Sequence, residues 1–261
     1  MNCLIETALL THGLRSIANE ELAQSWHCPD AILAWVDGGE LKIGPIGEYL
    51  PFRERSEELV RIDCDHLEEA RQSRASGALT ASGTMAVCRR LDIPMAITCG
   101  MGGIGDLRGE ELCPDLPALM NIPVALISTS PKDMLDRPAT LDWLRRHGVH
   151  TAGEPCTGYL FCGEPVALEL PLSSCNNEAA VRRLTANGGL LLLNPIPEKE
   201  RVQDRSILVD AIKAGKQAEA EGHYYHPAAN GEIDRRTGGY SSRIQLESIQ
   251  QNSLLAKSIM D

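Results

Sequence analysis

The sequence predicts an α/β fold, formed as a single domain over residues 1–261 around a largely parallel or mixed sheet. Short apolar runs alternate with helical patterns along the chain, which is the order expected of strands and helices packed in layers. No long stretch rich in Pro, Gly or Ser divides the chain in two. A chain of this length can bury a sizeable core, so one domain is expected.

The individual elements follow from local periodicity and turn residues. An apolar run broken at Asp37-Gly38-Gly39 predicts a hairpin over 31–44, because adjacent glycines favour a tight turn. Other apolar runs predict buried strands at 93–100, 122–129, 158–163 and 188–197. Helical patterns predict helices over 53–59, 82–91, 137–147, 176–187, 204–221 and 242–260. The polar stretch 222–243 predicts a mobile loop.

Composition excludes some classes of function. The 25 Lys and Arg against 36 Asp and Glu give a net charge of −11, whereas sequence-independent nucleic-acid binding needs a basic face. An anionic substrate would therefore need a local pocket of donors. The nine cysteines include no Cys-x-x-Cys pair, so we expect reduced thiols. No segment approaches the roughly 20 apolar residues of a membrane span, and no signal-peptide pattern opens the sequence, so a cytoplasmic location is expected.

The first candidate site lies in “VALISTSPKDMLD”, residues 124–136, where a buried strand ends and a helix is expected. Ser130 suits a helix N-cap and Pro131 the first helical position, which puts Lys132 in the first turn. The positive end of a helix disfavours a cation, so the pKa of this amine would be lowered and its lone pair freed to attack a carbonyl. The alternative is an exposed lysine at a helix start.

The second candidate is the glycine-rich stretch 98–116, “TCGMGGIGDLRGEELCPDL”. Gly100, Gly102 and Gly105 satisfy the G-x-G-x-x-G pattern of a dinucleotide site, but no uninterrupted helix follows, which disfavours that interpretation. The free amides of such a loop can instead hold a phosphate. The small residues of 76–85, “SGALTASGTM”, are typical of a phosphate-holding turn and equally of a helix N-cap.

Acidic side chains supply further candidates. Glu110, Glu111 and Asp115 could bind a hard cation such as Mg²⁺ or Mn²⁺, or could simply face water in a solvated loop. Glu6 sits in the otherwise apolar run “LIETALLTHG”, with His12 shortly after it. A carboxyl group in such a place would have a raised pKa and could act as an acid, unless it faces water at a strand edge.

The chain resembles the pseudouridine-5′-phosphate glycosidase family, also called the indigoidine synthase A-like family. The matching segments occur in the family's order over nearly the whole chain: “IETALLTHG”, “GALTASGTM”, “TCGMGGIGDLRGEELCPDL”, “PKDMLD”, “NGGLLLLNPIPE” and “TGGYSSRIQL”, followed by Asn252. The resemblance implies an α/β/α layered fold with a mixed central sheet. It also implies a homotrimer with one Mn²⁺ in each subunit.

The resemblance implies a target bond and a mechanism. A base joined to ribose through carbon has no heteroatom leaving group, and the family cleaves this C-glycosidic bond by opening the sugar and linking C1′ to a lysine as an imine. Lys132 matches that lysine, and Glu6 matches the family's proton donor. The implied reaction is the reversible conversion of pseudouridine 5′-phosphate into uracil and ribose 5-phosphate.

Further positions match binding residues of the family. Glu111 falls at the metal-ligand position, where the family has Asp. Cys113, Pro114 and Asp115 fall at a substrate-contacting tripeptide of which only the Asp is retained. The other substrate-binding positions that the resemblance implies are His12, Arg61, Ala81, Thr98, Gly100, Arg243 and Asn252.

Departures from the family pattern keep other functions open. Arg61 and Arg243 stand where the family has Lys and Asn, and a guanidinium is not interchangeable with an ammonium. The alternative is therefore a C-glycosynthase that joins ribose 5-phosphate to another heterocycle. A non-catalytic sugar-phosphate-binding protein is disfavoured because both Glu6 and Lys132 are retained, and a nicotinamide oxidoreductase is disfavoured by the broken glycine motif.

Overall fold

A computed structural model describes residues 2–105, 113–186, 188–223 and 225–261. Its mixed α/β architecture confirms the predicted fold class: a central sheet carries an apolar core on each face. In the strand Leu190–Leu193, Leu190 and Leu192 pack in one core while Leu191 and Leu193 pack in the other, because successive side chains of a strand point to opposite faces.

The strands among the described residues are short. In chain order they are β1 (Cys3–Ile5), β2 (Leu33–Asp37), β3 (Glu40–Gly44), β4 (Val60–Ile62), β5 (Gly77–Leu79), β6 (Met95–Ile97), β7 (Gly100–Met101), β8 (Ala125–Ser128), β9 (Ser130–Pro131), β10 (His150–Gly153) and β11 (Leu190–Leu193). The predicted hairpin is formed by β2 and β3, and three of the four predicted buried strands are present as β6, β8 and β11.

The helices lie mostly between the strands. They are α1 (Asn19–Ser25), α2 (Ile46–Arg53), α3 (Leu67–Gln72), α4 (Ala81–Arg90), α5 (Asp115–Asn121), α6 (Arg137–Arg146), α7 (Glu178–Thr185), α8 (Ser206–Ala220), α9 (Tyr225–Arg236) and α10 (Tyr240–Met260). Side-chain oxygens cap several amino ends: Asp136 accepts from Ala139 N at 2.9 Å before α6, and Asn177 accepts from Ala180 N at 2.9 Å before α7.

The main sheet has the order β10-β11-β8-β6-β1-β2-β5-β4, with β3 paired to β2. The pairs from β10 to β2 along this order are all parallel, whereas β2 is antiparallel to both β3 and β5. The first strand of the chain therefore lies near the middle of the sheet. Because β1, β6 and β8 are parallel neighbours, the residues that follow them emerge at one edge.

Thr7 joins the end of β1 to the end of β5. Its backbone N donates to Leu79 O at 3.1 Å, and its hydroxyl oxygen accepts from Leu79 N at 2.9 Å. The same hydroxyl donates to Ala34 O at 2.9 Å. These contacts, at a fully buried position, bring the residues after β5 to the edge where β1 ends.

The expectation that Lys132 lies in the first turn of a helix is wrong. Ser130–Pro131 form β9 against β7, and α6 begins only at Arg137. The carboxylate of Asp133 accepts hydrogen bonds from the backbone N of residues 159–161, at 2.9, 2.7 and 3.0 Å, so it cannot cap a helix here. The helix dipole therefore does not act on this lysine.

Three other predictions from local pattern are wrong. The stretch 158–163 is buried but irregular, because its amides bond to the Asp133 carboxylate rather than to a neighbouring strand. The helix predicted at 53–59 instead occupies Ile46–Arg53. At its last residue, the Arg53 guanidinium donates to three carbonyls of the buried segment that follows β1. The loop placed at 222–243 contains α9, whose buried face joins the core.

Two smaller expectations concern the cysteines and the membrane. None of the nine cysteines, all of which lie in the described ranges, forms a disulfide. Across the described ranges, no helix is both long enough and apolar enough to cross a bilayer.

Replacement of Thr7 by Val should destabilise the fold. The two side chains have similar shapes, but Val leaves Leu79 N and Ala34 O without buried partners, at a cost of about 2–4 kcal/mol in the free energy of unfolding. Urea unfolding measures this value. Thr7→Ser keeps the hydroxyl and should lose only about 1 kcal/mol; equal losses in the two variants would contradict a role for these hydrogen bonds.

Candidate active site

A two-compartment cavity opens at the edge where β1, β6 and β8 end. The inner compartment has a cavity volume of about 50 Å³ and is lined among others by Glu6, His12 and Tyr159. The outer compartment has a cavity volume of about 380 Å³ and is lined among others by Cys113 and Pro114. Both compartments are lined by Arg61, Thr80, Asp115, Lys132 and His226.

Lys132 lies where the two compartments meet. Its backbone N donates to Met101 O at 3.2 Å, and the bonds of the adjacent Asp133 hold the peptide in place. Burial lowers the pKa of the amine, and the charge of Arg61 lowers it further, against the opposing influence of Glu6. No ion pair joins this amine to a described carboxylate. The amine is therefore a stronger nucleophile near neutral pH than an exposed lysine.

Glu6 follows β1 directly and is 7 % exposed. Burial raises the pKa of its carboxyl group to about 7, with the Thr98 hydroxyl opposing this shift and the Asp115 carboxylate adding to it. Near neutral pH the group is thus present both as an acid and as a base, which is the state required of a proton donor. The expectation of a raised pKa, made from its apolar surroundings in the sequence, agrees with this placement.

Arg61 and His12 supply the donors of the cavity wall. Arg61 lies on β4, is half-buried and forms no ion pair with a described residue. His12 follows β1 in a short helical turn, and burial together with the charges of Arg61 and Arg15 lowers its pKa to about 4. The imidazole is therefore neutral, and Arg61 is the cation available to an anionic ligand.

The glycine-rich segment positions Asp115. The carboxylate accepts from Gly102 N at 2.8 Å and from Ser82 N at 3.1 Å. A Cβ on Gly102 would meet Cys113 Sγ at 1.9 Å, so a glycine is required for this close approach. A Cβ on Gly100 would meet the ring of Tyr159 at 2.6 Å. The two glycines thus allow the cavity wall to close without side chains of their own.

The amino end of α4 forms another part of the wall. Thr80 lines both compartments, and its hydroxyl accepts from Gly83 N at 3.3 Å as the N-cap of the helix. Ala81 lines the inner compartment and is 3 % exposed. Its small side chain takes up little of the space in the inner compartment.

Three of the predicted binding residues, Thr98, Arg243 and Asn252, lie outside the cavity lining. Arg243 is on the surface, where its Nε is 3.1 Å from Glu21 Oε1. Asn252 is fully buried on α10, and its amide donates to Thr98 O at 2.7 Å and accepts from Asn194 at 2.9 Å. Thr98 in turn faces Glu6 rather than open space. Asn252 and Thr98 thus support the cavity from behind.

The predicted metal ligand Glu111 lies outside the described residues. Within the described part of the chain, no group of three or more His, Cys, Asp or Glu side chains could hold a metal ion. Asp115, which faces the cavity, already accepts two backbone hydrogen bonds. The described residues therefore do not form a manganese site by themselves.

The cavity residues that were not singled out from the sequence include Tyr159, His226 and Asn230. Tyr159 lies in the irregular stretch that was taken for a strand, and its hydroxyl donates to Gln245 Oε1 at 2.9 Å. His226 and Asn230 lie on α9, in the stretch that was taken for a loop. Their spacing of four residues, which places both on one helix face, was the available signal.

The fold and this cavity define an α/β enzyme with an enclosed site for a small molecule. The family assignment follows from a match between residues 4–260 and the model of the indigoidine synthase A like proteins. The chain belongs to this family.

Curated relatives with similar sequences are pseudouridine-5′-phosphate glycosidases. The chain is 29% identical over 275 residues to the one from Saccharopolyspora erythraea, with 98% of this chain and 90% of the relative covered. It is 28% identical over 273 residues to the one from Methylobacterium nodulans, with 97% of this chain and 80% of the relative covered.

Solved structures share the fold. The prealnumycin C-glycosynthase AlnA, in complex with ribulose 5-phosphate, superposes with a TM-score of 0.77 at 21% identity, with 98% of this chain and 91% of that chain covered. An indigoidine synthase A-like protein from Thermotoga maritima superposes with a TM-score of 0.74 at 18% identity and the same coverage. The likeness confirms the layered fold implied by the sequence resemblance.

Replacement of Glu6 by Gln should stabilise the protein more at pH 8 than at pH 5. The pKa of Glu6 is raised from 4.5 to about 7, so the folded state binds the proton more tightly and the free energy of unfolding falls as pH rises between these values. At pH 8 the buried carboxylate costs on the order of 3 kcal/mol, which Gln avoids. Urea unfolding at both pH values measures the effect. A stability difference between variant and wild type that does not change with pH would contradict it.

Proposed function

We propose that the protein is a C-glycosidase that reversibly cleaves pseudouridine 5′-phosphate into uracil and ribose 5-phosphate. The observation that carries the proposal is the pairing of a buried amine with a buried carboxyl group in one cavity, Lys132 with a lowered pKa and Glu6 with a raised one. The curated relatives, which match nearly the full length of the chain, are named for this activity.

In this mechanism Glu6 and Lys132 act in sequence. The protonated Glu6 carboxyl gives its proton to the ring oxygen of the ribose as the C1′–O bond breaks, and the neutral Lys132 amine bonds to C1′ and loses a proton to the Glu6 carboxylate. The C–C bond to the base then breaks, its electrons and the proton from Glu6 go to the base, and an iminium ion between C1′ and Lys132 is left. Addition of water to the imine releases ribose 5-phosphate and regenerates the amine.

The phosphate of the substrate is assigned to Arg61. Arg61 has no carboxylate partner among the described residues and faces both compartments, so a phosphate would supply its counter-ion. The amides of Ser82 and Gly83 in the first turn of α4 already bond to Asp115 and Thr80, so the guanidinium is the main donor for the phosphate. Arg61 thus supplies a local positive site in an acidic protein.

The alternative function is a C-glycosynthase that joins ribose 5-phosphate to another heterocycle. The residues that depart from the family pattern in the outer compartment, Cys113 and Pro114, favour it, because they line the space available to a base. The fold of AlnA, a C-glycosynthase, is shared at low sequence identity. Comparison of turnover with uracil and with other heterocycles, each with ribose 5-phosphate, distinguishes the two functions.

A reductive trap should show a covalent sugar on Lys132. Incubation with ribose 5-phosphate, reduction with borohydride, digestion and mass spectrometry should find an adduct on the peptide that carries Lys132. Lys132→Ala should give no adduct and no turnover, whereas Lys42→Ala, which removes an exposed lysine paired with Glu40, should behave as wild type. Absence of the adduct on folded wild-type protein would refute the imine and favour a sugar-phosphate-binding protein.

A manganese ion at Glu111 remains a proposal that rests on the family resemblance. We expect Glu111→Gln to weaken Mn²⁺ binding by about tenfold or more, because a carboxylate is a far better ligand for a hard cation than an amide. Titration of free Mn²⁺ by electron paramagnetic resonance measures the affinity, with Glu57→Gln on the exposed surface as control. Unchanged affinity in Glu111→Gln would contradict this assignment.

The assembly and the location of the protein are likewise proposals. A homotrimer is implied by the family, and light scattering after size-exclusion chromatography measures the mass of the assembly against the 28.4 kDa of one chain. A cytoplasmic location is supported by nine cysteines with no disulfide among them, as is typical of proteins in a reducing compartment.

A further inference from the structure

Two cavity-lining side chains on α9 carry buried polar atoms that have no hydrogen-bond partner among the described residues. His226 and Asn230 lie one turn apart and both line the inner compartment. The buried atoms His226 Nδ1 and Asn230 Oδ1 have no hydrogen-bond partner among the described residues. Buried polar atoms are nearly always paired, because an unpaired one costs free energy. These two atoms are therefore groups that a ligand would satisfy.

His226 shares more of the cavity with Lys132 than Asn230 does. It lines both compartments, as Lys132 does, whereas Asn230 lines only the inner one. Burial, followed by the charges of Lys132 and Arg61, lowers the pKa of the imidazole to about 3. Its place as the second residue of α9 also disfavours a positive charge. The imidazole is thus held neutral beside an amine that must lose a proton.

We propose that His226 is a catalytic residue that moves a proton at the nitrogen of Lys132 while the imine forms; the proposal rests on the proposed function. In the direction that starts from open-chain ribose 5-phosphate, the neutral amine adds to the C1′ aldehyde, and nitrogen becomes positive as oxygen becomes negative. The imidazole takes one proton from nitrogen and returns it to oxygen, which gives a neutral carbinolamine. Glu6 then protonates the hydroxyl, water leaves, and an iminium ion faces the Glu6 carboxylate.

Charges in the cavity make this step dependent on the substrate. The two cations that lower the pKa of His226 are Arg61 and Lys132. A phosphate paired with Arg61 compensates one of them, and a neutral amine removes the other, so the imidazole becomes a better proton acceptor when substrate is bound. Without substrate the imidazole of His226 stays neutral. The Lys132 amine then forms no ion pair with a described carboxylate.

The test separates proton transfer from binding. His226→Gln keeps a polar group but cannot titrate, and we expect single-turnover borohydride trapping of ribose 5-phosphate on Lys132 to slow by about 10²-fold or more. The dissociation constant of ribitol 5-phosphate, which has the phosphate and hydroxyls but no aldehyde, should change less than about threefold. In His226→Ala, added imidazole should restore part of the trapping rate. His223→Gln, at an exposed position just before α9, should behave as wild type.

Each contrary outcome overturns the proposal. A trapping rate in His226→Gln within about threefold of wild type would exclude proton transfer by this residue. Loss of ribitol 5-phosphate affinity equal to the loss of rate would make His226 a binding residue instead. If circular dichroism shows that His226→Gln is unfolded, the trapping rate of His226→Ala with added imidazole replaces it as the test. Failure of imidazole to raise that rate counts against the proposal. Absence of any adduct in wild type, by contrast, would refute the proposed function itself.

Discussion

The site depends on the burial of two ionisable groups, the Lys132 amine and the Glu6 carboxyl group. Burial moves the pKa of Lys132 downward and that of Glu6 upward, so each group is pushed toward its neutral form. An exposed pair would instead be an ammonium and a carboxylate, neither of which can perform the first step of imine chemistry. By excluding water from these two groups, the cavity walls favour the neutral forms that can react. The protein retains a carboxyl group that costs it stability above neutral pH.

This desolvation requires walls that stay closed, and three sets of polar contacts fix them. Asp133 binds three consecutive backbone amides and thereby ties the segment after Lys132 to the wall that carries Tyr159. Thr7 ties β1 to β5, and Asp115 ties the glycine-rich segment to the start of α4. In each case a side chain satisfies backbone groups from a distant part of the sequence. The geometry of the site is thus held by many non-local bonds of ordinary strength.

Local pattern predicted the hairpin, most buried strands and the long helices, because their burial imposes a clear period on the sequence. It failed where distant groups decide the backbone. The stretch containing Tyr159 is apolar like a strand, but its amides bond to Asp133, and Pro131 suits a helix start yet pairs with Met101 in a strand.

For the site, the resemblance supplied Lys132 and Glu6, and the cavity contains both. The reason expected for the low pKa of Lys132, a helix dipole, was wrong; the cause is burial, which depends on tertiary packing. His226 could not be assigned from the sequence because its stretch reads as polar loop, and only the docking of α9 brings it to the cavity.

Helix α10 supports the cavity through contacts between segments that are far apart in the sequence. Asn252 and Ser248, in α10, bond to the Thr98 carbonyl and the Thr129 hydroxyl behind the cavity, across 154 and 119 residues. Contacts of such long separation must close a large loop before they contribute stability. We therefore expect this side of the cavity to become ordered late during folding.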